Sequence, residues 1–277
     1  MNRLIIRAAH SPDSDDAFMF YALAQKKVDT GEFDFVDHLE DIESLNQAAT
    51  KGIYEITALS IHGYAYVADR YALLNSGASM GEGYGPIVVA RKEIPVSRLR
   101  DVVVAVPGER TSAFLALRIL EPRVACRVVP FDRILEEVEA GHVDAGLIIH
   151  EGQLTYSERG LKKIVDLGEW WLEQTGLPLP LGGNAIRRDL GSAVIEKLSN
   201  LLKRSIRYAL EHREEALTYA LDFGRGLDRS QADKFVGMYV NQRTLDYGED
   251  GRKAVQLFLD KGVEAGVLPR RVEVEFV

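Results

Sequence analysis

The chain has 277 residues, of which 46% are hydrophobic and 27% are charged, and its formal net charge is -8 at pH 7. This composition is typical of a globular protein, and the length predicts about two domains or one large one. The acidic balance argues against a nucleic-acid-binding protein, which usually carries a basic excess, but it leaves room for an anionic small ligand held by local donors. The single cysteine, Cys126, excludes an intrachain disulfide.

The N-terminal residues 1–7 lack the features of a leader sequence. Arg7 interrupts their apolar pattern, and they contain neither the long apolar core nor the cleavage motif of a signal peptide. No later run approaches the roughly 18 consecutive apolar residues that a membrane-spanning helix needs. We therefore expect a cytoplasmic protein with no membrane partner and no nucleic-acid partner.

The first predicted βα unit contains an acidic loop. Residues 4–9 predict a strand, Pro12 ends it, and the serines and aspartates that follow are suited to cap a helix that begins at Ala17. Three carboxylates lie close together in this loop: Asp13, Asp15 and Asp16. They could bind Mg²⁺ or Ca²⁺, but their spacing lacks the remaining ligands of a calcium loop, so we expect capping and no metal.

Polar side chains mark the next helix and the next strand. Alternating polarity predicts a strand over residues 33–39, and a helix predicted over residues 42–51 carries Asn46. Residues 56–60 predict a short strand that gives way to a helix at Ser60, where a hydroxyl and backbone N–H groups can meet an anion. The alternatives are an ordinary N-cap for Ser60 and a surface position for Asn46.

A pair of hydroxyls begins a later helix. The glycine-rich residues 77–85 precede this region and lack the motif of a phosphate loop, so we expect a flexible rim or hinge there. Residues 102–108 predict a buried strand, and Thr111 and Ser112 come before a helix predicted over residues 114–120. Two hydroxyls beside the free N–H groups of a helix N-terminus suit a carboxylate or a phosphate.

His150 follows a strand that is predicted to be buried on both faces. Residues 145–149 are continuously apolar, which is typical of such a strand. Ligand sites in α/β proteins form outside the carboxyl ends of these strands, and Glu151 and the flexible Gly152 come next. The pattern is compatible with a functional histidine and also with one that only caps the strand by bonding to the backbone.

The C-terminal third of the chain is predicted to be helical. The proline- and glycine-rich residues 175–184 are interpreted as a crossing between domains. Four helical patterns follow, at residues 193–211, 213–223, 230–242 and 249–266. We expect this tail to pack against the first domain. The predicted fold class is α/β, with residues 1–86 and 184–277 in one domain, residues 87–183 in another, and a cleft between them.

Well-known catalytic motifs are absent from the sequence. It contains no G-x-G-x-x-G, G-x-S-x-G, H-E-x-x-H or C-x-x-C. The sequence therefore offers no dinucleotide-binding, serine-hydrolase, zincin or zinc-ribbon mechanism, and we expect no cofactor.

The order of the predicted elements resembles the periplasmic-binding-protein-like (type II) fold, with two α/β domains, a central cleft and a helical C-terminal segment. Within this fold, the sequence is similar to the 1,4-dihydroxy-6-naphthoate synthase family of the futalosine pathway, which leads to menaquinone. The similarity extends from Ser11 to about Asp189. The most specific motifs are residues 145–151, 165–171 and 175–182.

The resemblance implies a carbon–carbon lyase that acts on cyclic de-hypoxanthinyl futalosine, which is a small carboxylate. It implies that His150 is the catalytic base. It also implies a set of residues that bind substrate or line the cleft: Ser60, Thr111, Ser112, Asp16 and Asn46. Hydroxyls and helix N-termini would hold the substrate carboxylate.

Two segments depart from the pattern of the resembled family. Residues 11–17 read Ser-Pro-Asp-Ser-Asp-Asp-Ala, where the family commonly has Ser-Pro-Cys-Pro-Asn-Asp-Thr. Residues 183–186 read Gly-Asn-Ala-Ile after the Pro-Leu-Gly stretch.

Two other functions are compatible with the sequence: a cytoplasmic carboxylate-binding protein without catalysis, and the sister enzyme that dehydrates chorismate derivatives. The sequence does not predict the oligomeric state.

Overall fold

Two β-sheets form the framework of the protein, and helices pack against both of them. The computed structural model describes residues 3–224 and 226–277. The strands within these residues are β1 (Leu4–His10), β2 (Phe33–Leu39), β3 (Ile56–Ser60), β4 (Tyr71–Leu73), β5 (Ser79–Gly81), β6 (Ile87–Ala90), β7 (Val103–Val106), β8 (Ala125–Val128), β9 (Ala145–Ile148), β10 (Lys162–Asp166) and β11 (Leu179–Arg187). The α-helices are α1 (Ser14–Ala24), α2 (Ile42–Thr50), α3 (Ile61–Tyr64), α4 (Ser112–Leu120), α5 (Ile134–Glu139), α6 (Gly152–Thr155), α7 (Leu167–Thr175), α8 (Ser192–Glu211), α9 (Arg213–Ala220), α10 (Arg229–Tyr239), α11 (Gln242–Leu245) and α12 (Gly248–Glu264). None of the described helices is long and apolar enough to span a membrane.

Both sheets combine parallel strands with an antiparallel strand. The first sheet has the order β2-β1-β3-β11-β4, and β5 pairs with β11 as well. In it, β1 is parallel to β2 and β3, and β11 is antiparallel to β3, β4 and β5. The second sheet has the order β10-β6-β9-β7-β8, with β7 parallel to β8 and β9, and β6 antiparallel to β9 and β10. The predicted α/β class is confirmed.

The chain crosses between the two sheets twice. It leaves the first sheet after β5 and returns to it at β11, so that β6 to β10 belong to the second sheet. The predicted domain limits, after residues 86 and 183, stay a prediction, because strand pairing alone does not define where one domain ends and the next begins.

Strand β11 corrects part of the sequence interpretation. Residues 175–184 do lead from the second sheet to the first, but from Leu179 onward they form a strand in the middle of the first sheet. Pro180 has no N–H to donate, and proline is therefore rare inside central strands. The register shifts between Pro180 and Gly182, where β11 pairs with β5, and this irregularity accommodates the missing donor.

The C-terminal helices pack against α1, as predicted for the helical tail. Phe18 and Phe20 of α1 are fully buried and share one apolar core with Leu202 of α8 and Val236 of α10. Helix α12 packs against β11 and also against α4. The tail therefore supports the first sheet and reaches the helix that carries Ser112.

Candidate functional site

A cleft between the two sheets receives residues from several parts of the chain. It encloses about 750 Å³, including space open to solvent, and small-molecule sites span roughly 300–1,000 Å³. The end of β3, the N-terminus of α4, the loop before α1, and parts of β11 and α10 line it. Ile149, directly after β9, lines it too. The cleft thus lies outside the carboxyl ends of parallel strands, where α/β proteins bind ligands.

Three predicted residues, Ser60, Thr111 and Ser112, line one side of the cleft together. Thr111 is the N-cap of α4, and its Oγ1 accepts a hydrogen bond from the N–H of Phe114 at 3.2 Å. The N–H groups of Ser112 and Ala113 have no partner inside the helix, because an α-helix leaves its first N–H groups unpaired. These donors and the helix dipole make this hydroxyl side of the cleft suited to a carboxylate.

The three hydroxyls differ in what they can offer a ligand. Thr111 Oγ1 and Ser112 Oγ donate to backbone carbonyl oxygens at 2.9 and 2.5 Å, so both protons are in use. Ser60 Oγ accepts from the side chain of Asn46 at 3.1 Å, which leaves its own proton available. We therefore expect Ser60 to donate through its hydroxyl, and α4 to donate through its backbone N–H groups.

Asn46 lies behind Ser60 and is fully buried. Its Oδ1 accepts from the N–H of Ser60 at 2.9 Å, and its Nδ2 donates to Ser60 Oγ and to the carbonyl oxygen of Arg110 at 3.3 Å. A Cβ at Gly63 would lie 2.4 Å from Asn46 Oδ1, so glycine leaves the room that this amide needs. Asn46 is not among the residues that line the cleft, and a direct contact with substrate stays a prediction. Its geometry is that of a residue that positions Ser60.

His62 holds the start of α4, and the sequence did not single it out. Its backbone N–H donates to Ser112 Oγ at 3.2 Å, and its Nδ1 lies 3.2 Å from the carbonyl oxygen of Thr111. A carbonyl oxygen can only accept, so Nδ1 carries the proton. Burial lowers the pKa of His62 to about 4, and the ring is therefore neutral at pH 7. His62 positions the hydroxyl side without adding a charge to it.

The acidic loop and the first turn of α1 contribute carboxyl groups to the cleft. Asp13, Asp15 and Asp16 all line it, and Asp16 Oδ2 accepts from the backbone N–H of Ser11 at 2.8 Å. Burial, reinforced by the charge of Asp13, raises the pKa of Asp16 to about 7. Burial and the neighbouring carboxylates also raise the pKa of Asp15 well above its usual range. The cleft therefore contains a carboxyl group that exchanges a proton near neutral pH.

Helix α1 begins earlier than the sequence predicted. It begins at Ser14 instead of Ala17, so that Asp15 and Asp16 lie in its first turn, where the helix dipole favours negative charge. Asp13 is the N-cap residue, and its side chain accepts from the hydroxyl of Ser11 at 2.6 Å instead of capping the helix. In the part of the chain that the structure describes, no three histidine, cysteine or acidic side chains are arranged to hold a metal ion.

His150 is buried at the end of β9, and its ring faces the backbone. Its Nδ1 accepts from the N–H of Gly152 at 3.0 Å, and its Nε2 lies 3.2 Å from the carbonyl oxygen of Phe131, so Nε2 carries the proton. A Cβ at Gly152 would lie 2.7 Å from the ring, so glycine allows this close approach. His150 is not among the residues that line the cleft in this conformation, whereas its neighbour Ile149 is. The role of His150 as base stays a prediction.

The helical tail and β11 add residues that sequence reasoning missed. Phe235 and Tyr239 of α10 line the cleft, and Tyr239 Oη donates to Gln153 Oε1 of α6 at 2.8 Å. Burial raises the pKa of Tyr239, so its hydroxyl stays protonated. Aromatic residues on an amphipathic helix normally indicate core, which hid this contribution. Asn184 of β11 also lines the cleft, and the only signal for it was that residues 183–186 depart from the family pattern.

Comparison with known proteins places this cleft in a family. A family model described as menaquinone biosynthesis matches residues 6–264. The chain belongs to this family. A curated member named 1,4-dihydroxy-6-naphthoate synthase, from Thermus thermophilus, is 45% identical over 90% of this chain and 91% of the relative. A second protein of that name, from Streptomyces coelicolor, is 36% identical over 95% of each chain. The family predicted from sequence motifs is thereby confirmed.

Solved structures confirm the predicted fold. An X-ray crystal structure of a protein from Archaeoglobus fulgidus is 47% identical to this menaquinone biosynthesis family member, with a TM-score of 0.90 over 95% of this chain and 98% of that one. A Candida albicans protein described as having the generic periplasmic binding protein fold is 14% identical, with a TM-score of 0.66 over 98% and 97% of the two chains. At that identity the likeness shows the fold alone.

Proposed function

We propose that this member of the menaquinone biosynthesis family is a carbon–carbon lyase that converts cyclic de-hypoxanthinyl futalosine to 1,4-dihydroxy-6-naphthoate. One observation carries the proposal. In a chain whose curated relatives bear the name of that synthase, the hydroxyl of Ser60 and the unpaired N–H groups of α4 meet in one cleft. The proposal includes the division into residues 1–86 with 184–277 and residues 87–183, which puts the cleft between two domains.

The substrate carboxylate binds at the hydroxyl side of the cleft. Ser60 donates through its hydroxyl, and Ser112 and Ala113 donate through their backbone N–H groups. Hydrogen bonds to a charged group contribute about 1.5–3 kcal/mol each, so three of them suffice to orient a small ligand. No lysine, arginine or histidine is found among the described residues that line the cleft, so neutral donors carry the recognition. Because the donors are neutral, none of them forms an ion pair with Asp16, whose pKa is raised to about 7.

His150 removes a proton from the bound substrate. An imidazole nitrogen that carries no proton can act as a general base, and carbon–carbon cleavage to an aromatic product requires proton removal. Its Nδ1 accepts a hydrogen bond from the backbone N–H of Gly152 and therefore carries no proton. For this role the ring has to rotate away from Phe131 and Gly152 toward the cleft, which its neighbour Ile149 lines. Contacts of catalytic side chains commonly reach their productive geometry only when substrate is bound.

A substrate panel tests the proposed function. The purified protein is incubated with cyclic de-hypoxanthinyl futalosine and, separately, with the chorismate-derived substrate of the sister enzyme, and the products are identified by mass spectrometry. We expect 1,4-dihydroxy-6-naphthoate from the first substrate and no dehydration of the second. Binding without any product would support the carboxylate-binding protein, and dehydration of the second substrate would support the sister enzyme.

A serine pair provides the matched variants for this panel. Ser60→Ala should lower kcat/KM by about tenfold or more, because it removes a donor to the substrate carboxylate. Ser97→Ala, at an exposed position outside the cleft, should leave kcat/KM unchanged. We also propose a cytoplasmic location, which the names of the curated relatives as biosynthetic synthases support.

A further inference from the structure

Asn184 of β11 is a buried residue at the wall of the cleft. Successive side chains of a strand point to opposite faces, so Gly182 and Asn184 share one face of β11, and both line the cleft, as does the backbone of Gly183. Gly183 faces the other way, where a Cβ would lie 2.2 Å from Tyr247 Oη. In the pairing of β11 with β3, Gly182 lies opposite Ser60 and Asn184 lies opposite Ala58. Asn184 is therefore displaced from Ser60 by two residues along the strands, or about 7 Å.

The amide of Asn184 has an acceptor that the protein does not use. The side chain is 1% exposed, and its Nδ2 donates to the carbonyl oxygen of Gly77 across a long 3.4 Å. This carbonyl fixes the orientation of the amide, because it can pair with the NH₂ group and would repel the oxygen. The other end, Oδ1, is buried and has no hydrogen-bond partner among the described residues.

The surroundings of Asn184 are shaped to keep the amide in this place. Gly77 has a φ of +91°, which side-chain-bearing residues rarely adopt, and a Cβ there would lie 2.2 Å from Asn184 Nδ2. Leaving a buried acceptor unpaired costs about 1–3 kcal/mol. An apolar side chain of the same volume would avoid that cost and would lose only the long bond to Gly77, so a ligand group that pairs with Oδ1 in the cleft accounts for the amide.

We propose that Asn184 Oδ1 accepts a hydrogen bond from a hydroxyl group of the ligand, and that Asn184 thereby determines substrate specificity. This inference rests on the proposed function, because it names a second recognition point in the same cleft. Carboxylates and carbonyls only accept hydrogen bonds and cannot pair with Oδ1, whereas a hydroxyl can. The ligand therefore carries a carboxylate for the hydroxyl side and a separate hydroxyl for Asn184, as a dihydroxylated fused two-ring acid does.

A pair of aromatic acids tests the inference by binding alone. Isothermal titration calorimetry under anaerobic conditions compares 1,4-dihydroxy-6-naphthoate with 2-naphthoate, which has the same carboxylate and ring system and no hydroxyl. The wild-type protein should bind the dihydroxy acid at least about tenfold more tightly, and Asn184→Leu should reduce this preference to less than about threefold. Asn200→Leu, at an exposed position of α8, should keep the wild-type preference.

Thermal unfolding separates recognition from a structural role. Asn184→Leu should melt close to the wild-type temperature, because removal of an unpaired buried acceptor offsets the loss of the long hydrogen bond to Gly77. Asn184→Ala provides a second, smaller variant that should show the same loss of preference. A wild-type preference below about threefold, or a preference that either variant retains, would overturn the inference. If the protein turns over cyclic de-hypoxanthinyl futalosine but the variants keep the preference for the dihydroxy acid, only this inference is contradicted. If the preference depends on Asn184 but the protein shows no turnover, only the proposed function is contradicted.

Discussion

Replacing Asn46 with alanine tests whether a buried amide holds the hydroxyl side of the cleft together. The substitution removes hydrogen bonds to the N–H of Ser60, to its Oγ and to the carbonyl oxygen of Arg110. Ser60 is only 3% exposed, so water cannot replace the amide without entering the structure. The N–H of Ser60 would then be a buried donor with no acceptor.

The expected cost follows from these contacts. A buried donor without a partner costs about 1–3 kcal/mol, and an ordinary neutral hydrogen bond contributes about 0.5–1.5 kcal/mol. The contact with Arg110 is long, at 3.3 Å, so we count one unsatisfied donor and one lost hydrogen bond. The free energy of unfolding of Asn46→Ala should therefore fall by about 2–4 kcal/mol. Freed from the amide, Ser60 should also bind the substrate carboxylate less well.

Urea unfolding and steady-state kinetics measure the two effects. Asn46→Ala should lower the urea midpoint, and it should raise KM for cyclic de-hypoxanthinyl futalosine by about tenfold, with a smaller effect on kcat. Gln47→Ala is the matched control, because Gln47 is an exposed neighbour on α2 whose only side-chain contact described is a 3.4 Å bond to Glu43. Its free energy of unfolding should stay within about 0.5 kcal/mol of the wild type.

Two results would refute this reasoning in different ways. If Asn46→Ala unfolds within about 0.5 kcal/mol of the wild type, the amide does not hold Ser60 and Arg110 together. If the stability falls as expected but KM is unchanged, Asn46 is a structural residue and does not position Ser60 for the substrate.

Two further predictions concern proton transfer and pH. His150→Asn should abolish turnover and leave ligand affinity in calorimetry largely unchanged, because the base acts on a substrate that other residues hold; turnover within about tenfold of the wild type would contradict the assignment. Asp16→Asn should raise the melting temperature more at pH 8 than at pH 4. The folded-state pKa of Asp16, about 7, lies above its ordinary value of 3.8, so the wild type loses stability as the pH rises through this interval and the amide variant does not. An equal effect at both pH values would show that Asp16 does not titrate in this way.

Two parallel strands of the first sheet, one of which ends at the cleft, could be predicted from the sequence. Strands β2 and β3 have the predicted bounds, residues 33–39 and 56–60, because their apolar and polar patterns are bounded by polar segments and a helix start. The hydroxyl side was predictable for a related reason. Thr111 and Ser112 lie between a buried strand and a helix, and that context alone fixes hydroxyls and free N–H groups at one place.

Strand β11 could not be predicted, because its composition argues against a strand. Pro180 and two adjacent glycines, Gly182 and Gly183, occur within it, and both residue types are typical of turns and crossings. Its place in the sheet depends on pairing with β3, β4 and β5, which are distant in sequence. Such long-range pairing leaves no local pattern.

The directions of individual side chains in the cleft also lay beyond the sequence. The position of His150 at a strand end was predictable, but the orientation of its ring depends on Phe131 and Gly152. The unpaired acceptor of Asn184 depends on Gly77, more than a hundred residues earlier, and the raised pKa of Asp16 depends on burial. These features arise from tertiary contacts.

The most direct test of the central claim is to fill the cleft and measure product. Gly182 lines it beside Ser60, and a Cβ there would have only Leu59 O at 3.5 Å and Ser79 Cβ at 3.8 Å nearby, so Gly182→Val fits the strand and places its methyl groups in the cleft. Gly237→Val, on α10 outside the cleft, is the control. We predict that the wild type and Gly237→Val form 1,4-dihydroxy-6-naphthoate from cyclic de-hypoxanthinyl futalosine, and that folded Gly182→Val does not. No product from the wild type, or equal product from Gly182→Val, would contradict the claim that this cleft carries out the reaction.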